Sequence, residues 1–479
     1  MSPLEKHRNI CYTMIRIFYD YWRMIILLGL LLAAIVVILV ARYILKKYPP
    51  QPVLLLGGLC MMFLALAFGI GTILPAKQST GSLWLDTIEF IKLTFSSRAA
   101  NLGLIIMVVG GFSKYMDIIG ASTALVKVAI RPLQKIGQPY LVLGLTSVLG
   151  NILAMFISSA SGFALLLMVT MYPVLVRLGV SRLSAAAVIA TSSAVGWGPA
   201  GADNIFAAEL AGMDIIPYFF NYQVPIGICT VVAISAGHYF VQRWFDRREQ
   251  TADKTVTPVQ ESNDIAVPAF YALLPTLPLF LILLFGLVIE SVKMDITVAT
   301  FVSLAITMLI EFIRHRNGLK LCTDLKSFWD GMGLQMATVV TLIVAAETFA
   351  KGLMSLGAID TLIHGAQDAG FGGIGMMFVV VAIIIASTLL TGSGNATFFA
   401  FAPLAPKAAA LSNIDPVLLL LPMNFVSNLA RSLSPIAAVV MVVSGAAELS
   451  PISLAKRTWL PVTIGIIVNI TATLLLFYH

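Results

Sequence analysis

Apolar runs and short polar breaks alternate along nearly the whole chain. Runs approaching the roughly 20 residues that cross a hydrocarbon core recur at 24–45, 53–74, 99–116, 140–157, 163–178, 183–195, 222–241, 270–289 and 296–312, and again at 335–350, 374–390, 398–411, 417–426, 435–446 and 460–477. Several of them fall short of a full crossing. Runs of roughly 10 to 14 residues interrupted by Gly, Ser, Asn or Pro read as half-helices or re-entrant hairpins. No alternating strand pattern occurs. The expected fold is therefore an all-α membrane protein, a polytopic helical bundle of about 12 to 14 membrane elements.

Two longer polar stretches interrupt the pattern. Residues 243–267 carry both signs of charge, with Pro258 inside and Pro268 just after, and read as a solvated linker. Residues 314–330 are shorter and basic, and the two apolar runs between these stretches make a simple helical hairpin. On either side of that hairpin the sequence repeats itself. Phe112, Lys114, Met116, Gly120 and Ala121 recur as Phe349, Lys351, Leu353, Gly357 and Ala358 at an offset of 237. Ser159-Ala160-Ser161-Gly162 lines up with Thr391-Gly392-Ser393-Gly394 at an offset of 232, and Pro199 and Pro225 line up with Pro435 and Pro461 at 236. Matches in this order, separated by small loop changes, point to a duplication. The expected plan is an N-terminal extension (1–23), two membrane helices with an interfacial segment (24–94), repeat one (95–245), a cytoplasmic linker and helical hairpin (246–329), and repeat two (330–479).

Composition removes most other classes of protein. With 59% hydrophobic residues, 11% charged residues and a mean hydropathy of +0.95, the chain cannot cover soluble cores, for which about 25% charge is usual. Four cysteines, Cys11, Cys60, Cys229 and Cys322, have neither disulfide nor metal-ligand spacing. The net charge of +7 comes largely from clusters between apolar runs, such as Arg42/Lys46/Lys47, Arg243/Arg247/Arg248 and Arg314/Arg316/Lys320. Such clusters mark cytoplasmic helix ends, so no nucleic-acid partner is implied. If both ends of the central hairpin are cytoplasmic, repeat one ends inside and repeat two begins inside. An odd number of crossings in each then makes the repeats inverted and leaves His479 outside, after a stretch without Lys or Arg. The same count puts Lys6, Arg8, Arg16 and Arg23 outside, against the rule. Residues 1–23 are therefore expected to lie at the interface or to precede a true start at Met14 or Met24, and they do not read as a signal peptide.

Chemistry is expected at the matched breaks. Ser158, Ser159, Ser161 and Gly162 interrupt one apolar run, and Thr391, Gly392, Ser393, Gly394 and Asn395 interrupt the equivalent one. Glycine lets the backbone leave helical geometry, and amides freed in this way within lipid need partners. A half-helix that starts at such a break points its positive end into the gap, which favours a carboxylate. Small residues also serve simply to let helices pack closely, but recurrence of the break in both repeats argues for a site. A second pair of breaks lies at Thr191-Ser192-Ser193 with Gly196, Gly198 and Pro199, and at Ser427-Asn428 with Ser432, Ser434 and Pro435.

Arg431 sits in the last of these. An Arg at the centre of a membrane helix costs roughly 2.5 to 3.5 kcal/mol on insertion scales, and its planar fork matches a carboxylate, so it is expected to hold substrate unless it snorkels to an interface. Asp203, Asn204 and Glu209 follow the equivalent break in repeat one. Asp203 and Asn204, with Ser192 and Ser193, are candidates for a coupling cation or a proton; an aqueous loop is the other reading of the acidic pair. Glu347 and Lys351, one turn apart, read as a structural ion pair. Zinc-protease, phosphate-loop and dinucleotide signatures are absent and the five histidines are scattered. No enzyme and no cofactor are expected beyond Na⁺ or H⁺ as a coupling ion, and the sequence names no metal ligands.

The stretches Phe112 to Ala121, Ser158 to Gly162, Thr391-Gly392-Ser393-Gly394-Asn395-Ala396 and above all Ser427-Asn428-Leu429-Ala430-Arg431-Ser432-Leu433-Ser434-Pro435 resemble the DcuC/DcuD type of C4-dicarboxylate transporter of the ion transporter superfamily. Phe270-Tyr271-Ala272-Leu273-Leu274-Pro275 and Lys456-Arg457-Thr458 extend the likeness, which runs from about residue 24 to the end. The resemblance implies paired hairpins with substrate between their tips, the contributing residues being Ser158, Ser159, Ser161, Gly162, Thr391, Gly392, Ser393, Gly394, Asn395, Ser427, Asn428, Arg431 and Ser434. It implies secondary transport of succinate, fumarate or malate across the bacterial inner membrane, by efflux or exchange during anaerobic growth. The partners implied are a small dicarboxylate and the lipid bilayer, with a homodimer left open. Thr397 departs from the family, standing where Pro is usual. A carrier for another organic anion, such as a short-chain fatty acid or an aminobenzoyl conjugate, stays open. An ion channel is disfavoured, because channel rings normally come from several identical subunits.

Overall fold

The computed structural model describes residues 28–157, 159–249, 267–287, 294–359, 361 and 373–478, and every regular element among them is helical. The N-terminal extension, most of the linker and Ser158 lie outside the described residues. Among those described, eight helices are long and apolar enough to cross a membrane, or nine if Leu85–Ala100 and Leu102–Ile118 form one broken span. Three shorter apolar helices, Pro139–Leu153, Ala269–Phe285 and Val417–Arg431, accompany them. Breaks account for the short ones: the run 183–195 yields only Arg182–Ala190, because the chain turns at Thr191.

Local chemistry explains where helices begin. Ser159, Ser181 and Ser393 are N-caps whose side chains accept from the backbone N–H groups of Gly162, Ser184 and Ala396, each worth about 1 kcal/mol. Prolines open Pro50–Ala67, Pro139–Leu153 and Pro451–Phe477, where the missing N–H costs nothing. Thr397 lies inside Gly394–Phe401, and its N–H donates to the Ser393 carbonyl at 3.3 Å. A proline there has no such donor, so the departure from the family adds a bond at the start of this half-helix.

The chain packs as two compact units. The first combines residues 28–97, 341–359, 361, 373–376 and 403–414. Its centre is the crossing of Pro50–Ala67 and Thr341–Ser355, where a Cβ at Gly58 would stand 2.5 Å from the Thr348 carbonyl oxygen. Only glycine allows the two backbones to meet this closely. Lys351 in this unit has its ammonium 5.8 Å from the centroid of the Phe90 ring.

The second unit combines the described residues of 98–340, 377–402 and 415–478. One of its apolar cores joins Pro139–Leu153, Ala160–Thr170, Tyr172–Arg177 and Arg182–Ala190 to Ala438–Ala446. The long helices Val224–Glu249 and Pro451–Phe477 run antiparallel side by side. Asn469 donates to Thr230 at 3.1 Å near one end, Gly237 lies against Pro461 in the middle, and Gln242 and Asp246 meet Arg457 near the other end. Packing is also exchanged between the two sequence stretches. Ala160–Thr170 and Arg182–Ala190 pack on Ala438–Ala446, while Gly394–Phe401 and Val417–Arg431 pack on Ala202–Leu210.

A buried ionic cluster pins this arrangement. Asp246 accepts from Arg457 at 2.7 Å, from the Ser181 and Ser184 hydroxyls at 2.7 and 2.6 Å, and from Tyr140 at 3.1 Å. Glu249 takes the other edge of the Arg457 guanidinium at 3.1 Å. Both charges of the Arg457–Asp246 pair are buried, so each holds the other in place: breaking a buried pair costs up to roughly 3 to 5 kcal/mol, less what Glu249 retains when Asp246 is the one removed.

Candidate functional site

The broken stretch after Arg182–Ala190 is shaped by amides from other helices. Asn151, fully buried in Pro139–Leu153, accepts from Val195 N–H at 3.1 Å through its side chain and from the Trp197 indole at 2.9 Å through its carbonyl. Asn204 donates to the Gly196 and Gly198 carbonyls at 3.0 and 2.7 Å and accepts from Gln223 at 2.8 Å. Thr191 meets the ring of the fully buried His238 at 2.8 Å, and Gln242 donates to the opposite ring nitrogen at 3.3 Å.

The equivalent stretch after Val417–Arg431 closes onto it. Asn428 donates to Asp203 at 2.7 Å and to the Asn424 carbonyl at 3.2 Å. Arg431 donates through Nη2 to the Ser193 carbonyl at 2.6 Å and to its hydroxyl at 3.3 Å. Arg431 Nε is buried and has no hydrogen-bond partner among the described residues. Gly196 has φ +63°, and a Cβ there would stand 2.4 Å from the Asn428 side chain. Gly394 is tighter against backbone, with a hypothetical Cβ 2.4 Å from the Ser427 carbonyl oxygen.

These contacts surround a polar cavity of about 280 Å³. Ser193, Asp203, Asn204, Asn395, Asn428 and Arg431 all line it, so six residues expected from the sequence share one wall. Arg431 lines this space. Asp203 is buried at the start of the helix Ala202–Leu210 and not in an aqueous loop. Glu209, on the same helix, pairs with Arg98.

Other expected residues lie elsewhere. Ser159 and Ser393 cap half-helices, and Ser161, Gly162, Gly392 and Gly394 are not on the cavity wall. Thr391 donates to the Ser387 carbonyl at 2.8 Å, Ser192 to Ile189 at 2.7 Å, Ser427 to Asn424 at 2.8 Å and Ser434 to Leu389 at 2.8 Å. Their hydroxyls are occupied by backbone carbonyls. Ser158 falls outside the described residues. Gly196, from the second break, lines the cavity too, and Trp197, Gln335 and Thr338 do so without having been singled out, together with Gly110 and Gly201. No group of three or more His, Cys, Asp or Glu residues that could hold a metal ion occurs among the described residues.

Membrane-crossing helices, half-helices that stop inside the bundle and a charged cavity between them define a multi-pass membrane transport protein. The family described as "DcuC: C4-dicarboxylate anaerobic carrier" matches residues 28–478. The chain belongs to that family, which makes it a carrier of the inner membrane and not an enzyme. It is 36% identical to the probable anaerobic C4-dicarboxylate transporter DcuC of Vibrio cholerae over 436 residues, 91% of this chain and 95% of that one. It is 37% identical to the anaerobic C4-dicarboxylate transporter DcuC of Escherichia coli K12 over 432 residues, 90% of this chain and 93% of that one. The solved YdaH transporter of Alcanivorax borkumensis superposes with a TM-score of 0.61 at 14% identity, covering 90% of this chain and 98% of that one. MtrF of Neisseria gonorrhoeae superposes at 0.56, also at 14% identity, with 90% and 95% covered. At such low identity these two likenesses concern the fold alone.

Proposed function

We propose that the chain moves C4-dicarboxylates such as succinate, fumarate and malate across the inner membrane, with one substrate carboxylate held by Arg431 in the 280 Å³ cavity. The observation that carries this reading is the guanidinium itself. Ser193 holds it through Nη2 at 2.6 Å, and it is the one cationic side chain among the described residues on the cavity wall. A carboxylate is the matching partner for such a group. Family membership points to the same substrate class.

An inverted duplication is part of the proposal. Its support is that the matched helices ending in Glu249 and Phe477 run antiparallel, and that packing is exchanged reciprocally between the two stretches. Moving a dianion inward against an inside-negative potential costs about 2.3 kcal/mol per uncompensated charge per 100 mV. Uptake therefore needs H⁺ or Na⁺ as co-ion, whereas efflux or exchange does not.

Counterflow with the purified protein in proteoliposomes tests the reading. With succinate inside and labelled anions outside, the C4-dicarboxylates are expected to accumulate transiently and saturably. Short-chain monocarboxylates and aminobenzoyl conjugates are expected to be poor substrates. Accumulation of one of these in place of the diacids would overturn the substrate assignment, and flux without saturation or counterflow would replace the carrier by a pore.

A further inference from the structure

Most polar groups on the cavity wall already have partners within the chain. Asp203 is bonded to Asn428, Asn204 to Gly196, Gly198 and Gln223, and the Trp197 indole to Asn151. The side-chain amides of Gln335 and Asn395 differ: both line the cavity, and neither makes a side-chain hydrogen bond among the described residues. Asn395 belongs to a break already expected to meet substrate. Gln335 does not.

Gln335 is the last residue of the helix Gly318–Gln335, where the chain passes into the π-helical turn Met336–Val340. Such turns are rare and frequently lie at functional sites. Its side chain is laid across the helix Leu102–Ile118 at Gly110. A Cβ on Gly110 would stand 2.3 Å from Gln335 Cγ and 2.7 Å from Nε2, so this glycine is a slot cut for the glutamine. Gly110 lines the cavity as well. The slot at Gly110 thus holds at the polar cavity wall an amide without a hydrogen-bond partner among the described residues, and such a group gains from a partner in the cavity.

Arg431 takes one end of a four-carbon diacid. The second carboxylate loses its water on entry and needs donors of its own. We infer that Gln335 is a specificity-determining residue that donates to this second carboxylate. This inference rests on the dicarboxylate reading above. A neutral amide supplies donors while leaving Arg431 the single cation on the wall, which favours release after transport. A monocarboxylate of the same length leaves the Gln335 amide unpaired, and sites built to hydrogen-bond a substrate group reject analogues lacking it.

The test is inhibition of labelled succinate counterflow in proteoliposomes of the full chain by unlabelled succinate and by unlabelled butyrate. In Gln335→Leu the half-inhibiting succinate concentration is expected to rise roughly ten- to a hundredfold, the loss of a hydrogen bond to a charged group, while that of butyrate stays where it was. Gln335→Glu keeps the shape of the side chain, so folding is preserved. By placing a negative charge beside the second carboxylate it is expected to lose succinate inhibition at least as severely, with butyrate again unaffected. Gly110→Ala, which fills the slot, is expected to act in the same direction in wild type and to add less than about twofold in the Gln335→Leu background. Succinate inhibition within about twofold of wild type in both Gln335 variants overturns the inference while leaving the functional reading intact. Equal losses for succinate and butyrate overturn it too. A wild-type protein that exchanges no C4 diacid fails before any variant is made and removes the functional reading together with the inference.

Discussion

Arg431→Lys separates the geometry of the guanidinium from its charge. In the wild-type protein Nη2 is committed to Ser193, at 2.6 Å to the carbonyl and 3.3 Å to the hydroxyl, while Nε is buried without a partner. On the proposed reading the guanidinium performs two tasks at once: Nη2 anchors it to the broken stretch after Arg182–Ala190, and the part that lines the cavity meets a carboxylate. An ammonium keeps the positive charge but is a point, and it cannot bond Ser193 and still offer two parallel N–H groups. At least one charge-assisted bond is lost, worth roughly 1.5 to 3 kcal/mol, which corresponds to a rise in half-saturation for succinate of about ten- to a hundredfold. Initial rates against succinate concentration in proteoliposomes measure this, with reconstituted protein quantity and thermal melting as controls for folding. Because the charge is retained, the melting temperature is expected to stay within a few degrees of wild type. A lysine variant that folds normally and half-saturates within about twofold of wild type would refute the argument, since charge alone would then suffice.

The other predictions concern the frame that holds this group. Gly394→Ala drives a Cβ to 2.4 Å from the Ser427 carbonyl oxygen, against the rigid Ser427–Asn428 peptide, and is expected to cost about 1 to 3 kcal/mol, seen as a melting temperature several degrees lower. Gly196→Ala combines a left-handed backbone with a Cβ 2.4 Å from Asn428, so Asn428 must leave Asp203; transport is expected to fall more than thermal stability does, and an unaltered rate would disconnect that hydrogen bond from function. Asp246→Ala strips the buried Arg457 of its 2.7 Å partner and is expected to destabilise by up to roughly 3 to 5 kcal/mol, less the share that Glu249 retains. The succinate half-saturation of the folded protein is expected to be unchanged in that variant, and a change would tie the cluster to substrate binding.

The sequence discloses the positions of the breaks better than the directions of their side chains. The cluster of small, hydroxylated and proline residues around Pro199 and Pro435 locates two interruptions, and Ser193, Asp203, Asn428 and Arg431 do meet at the cavity there. Hydroxyls were harder to place. A serine just before a half-helix finds a partner within its own first turn, which is why Ser159 and Ser393 turn to the amides of Gly162 and Ala396. The roles of Asn151, Trp197 and Gln335 are not legible in the sequence because they depend on residues distant in the chain: Asn151 on Val195 and Trp197, Gln335 on Gly110. A signal did exist for Asn151. A lone amide inside an apolar run cannot remain unpaired in lipid and so announces a buried partner. Glu209 carried no such clue, since nothing in its neighbourhood points to Arg98, 111 residues away.

The duplication proposed above accounts for the frame of the site but not for its charges. Arg431 lies four residues before Pro435, and Asp203 lies four residues after Pro199. At the offset of 236 that aligns the two prolines, Arg431 corresponds to Val195 and Asp203 to Val439. Each ionisable group was therefore placed once on an otherwise matched pair of breaks. Two arginines would repel each other when unloaded and hold a dianion too firmly to release it, and two aspartates would repel it. One of each, with Asn428 donating to Asp203 at 2.7 Å, leaves the pair balanced before substrate arrives. With both groups and the diacid ionised, the loaded site carries a surplus of two negative charges, which co-ions must offset if the movement is to be electroneutral. Asp203→Asn removes one of the negative charges. It is expected to tighten diacid binding and to change the charge moved per diacid by one unit, read as a shifted reversal potential in proteoliposomes. A reversal potential identical to wild type would take Asp203 out of the charge balance and leave Arg431 to act alone.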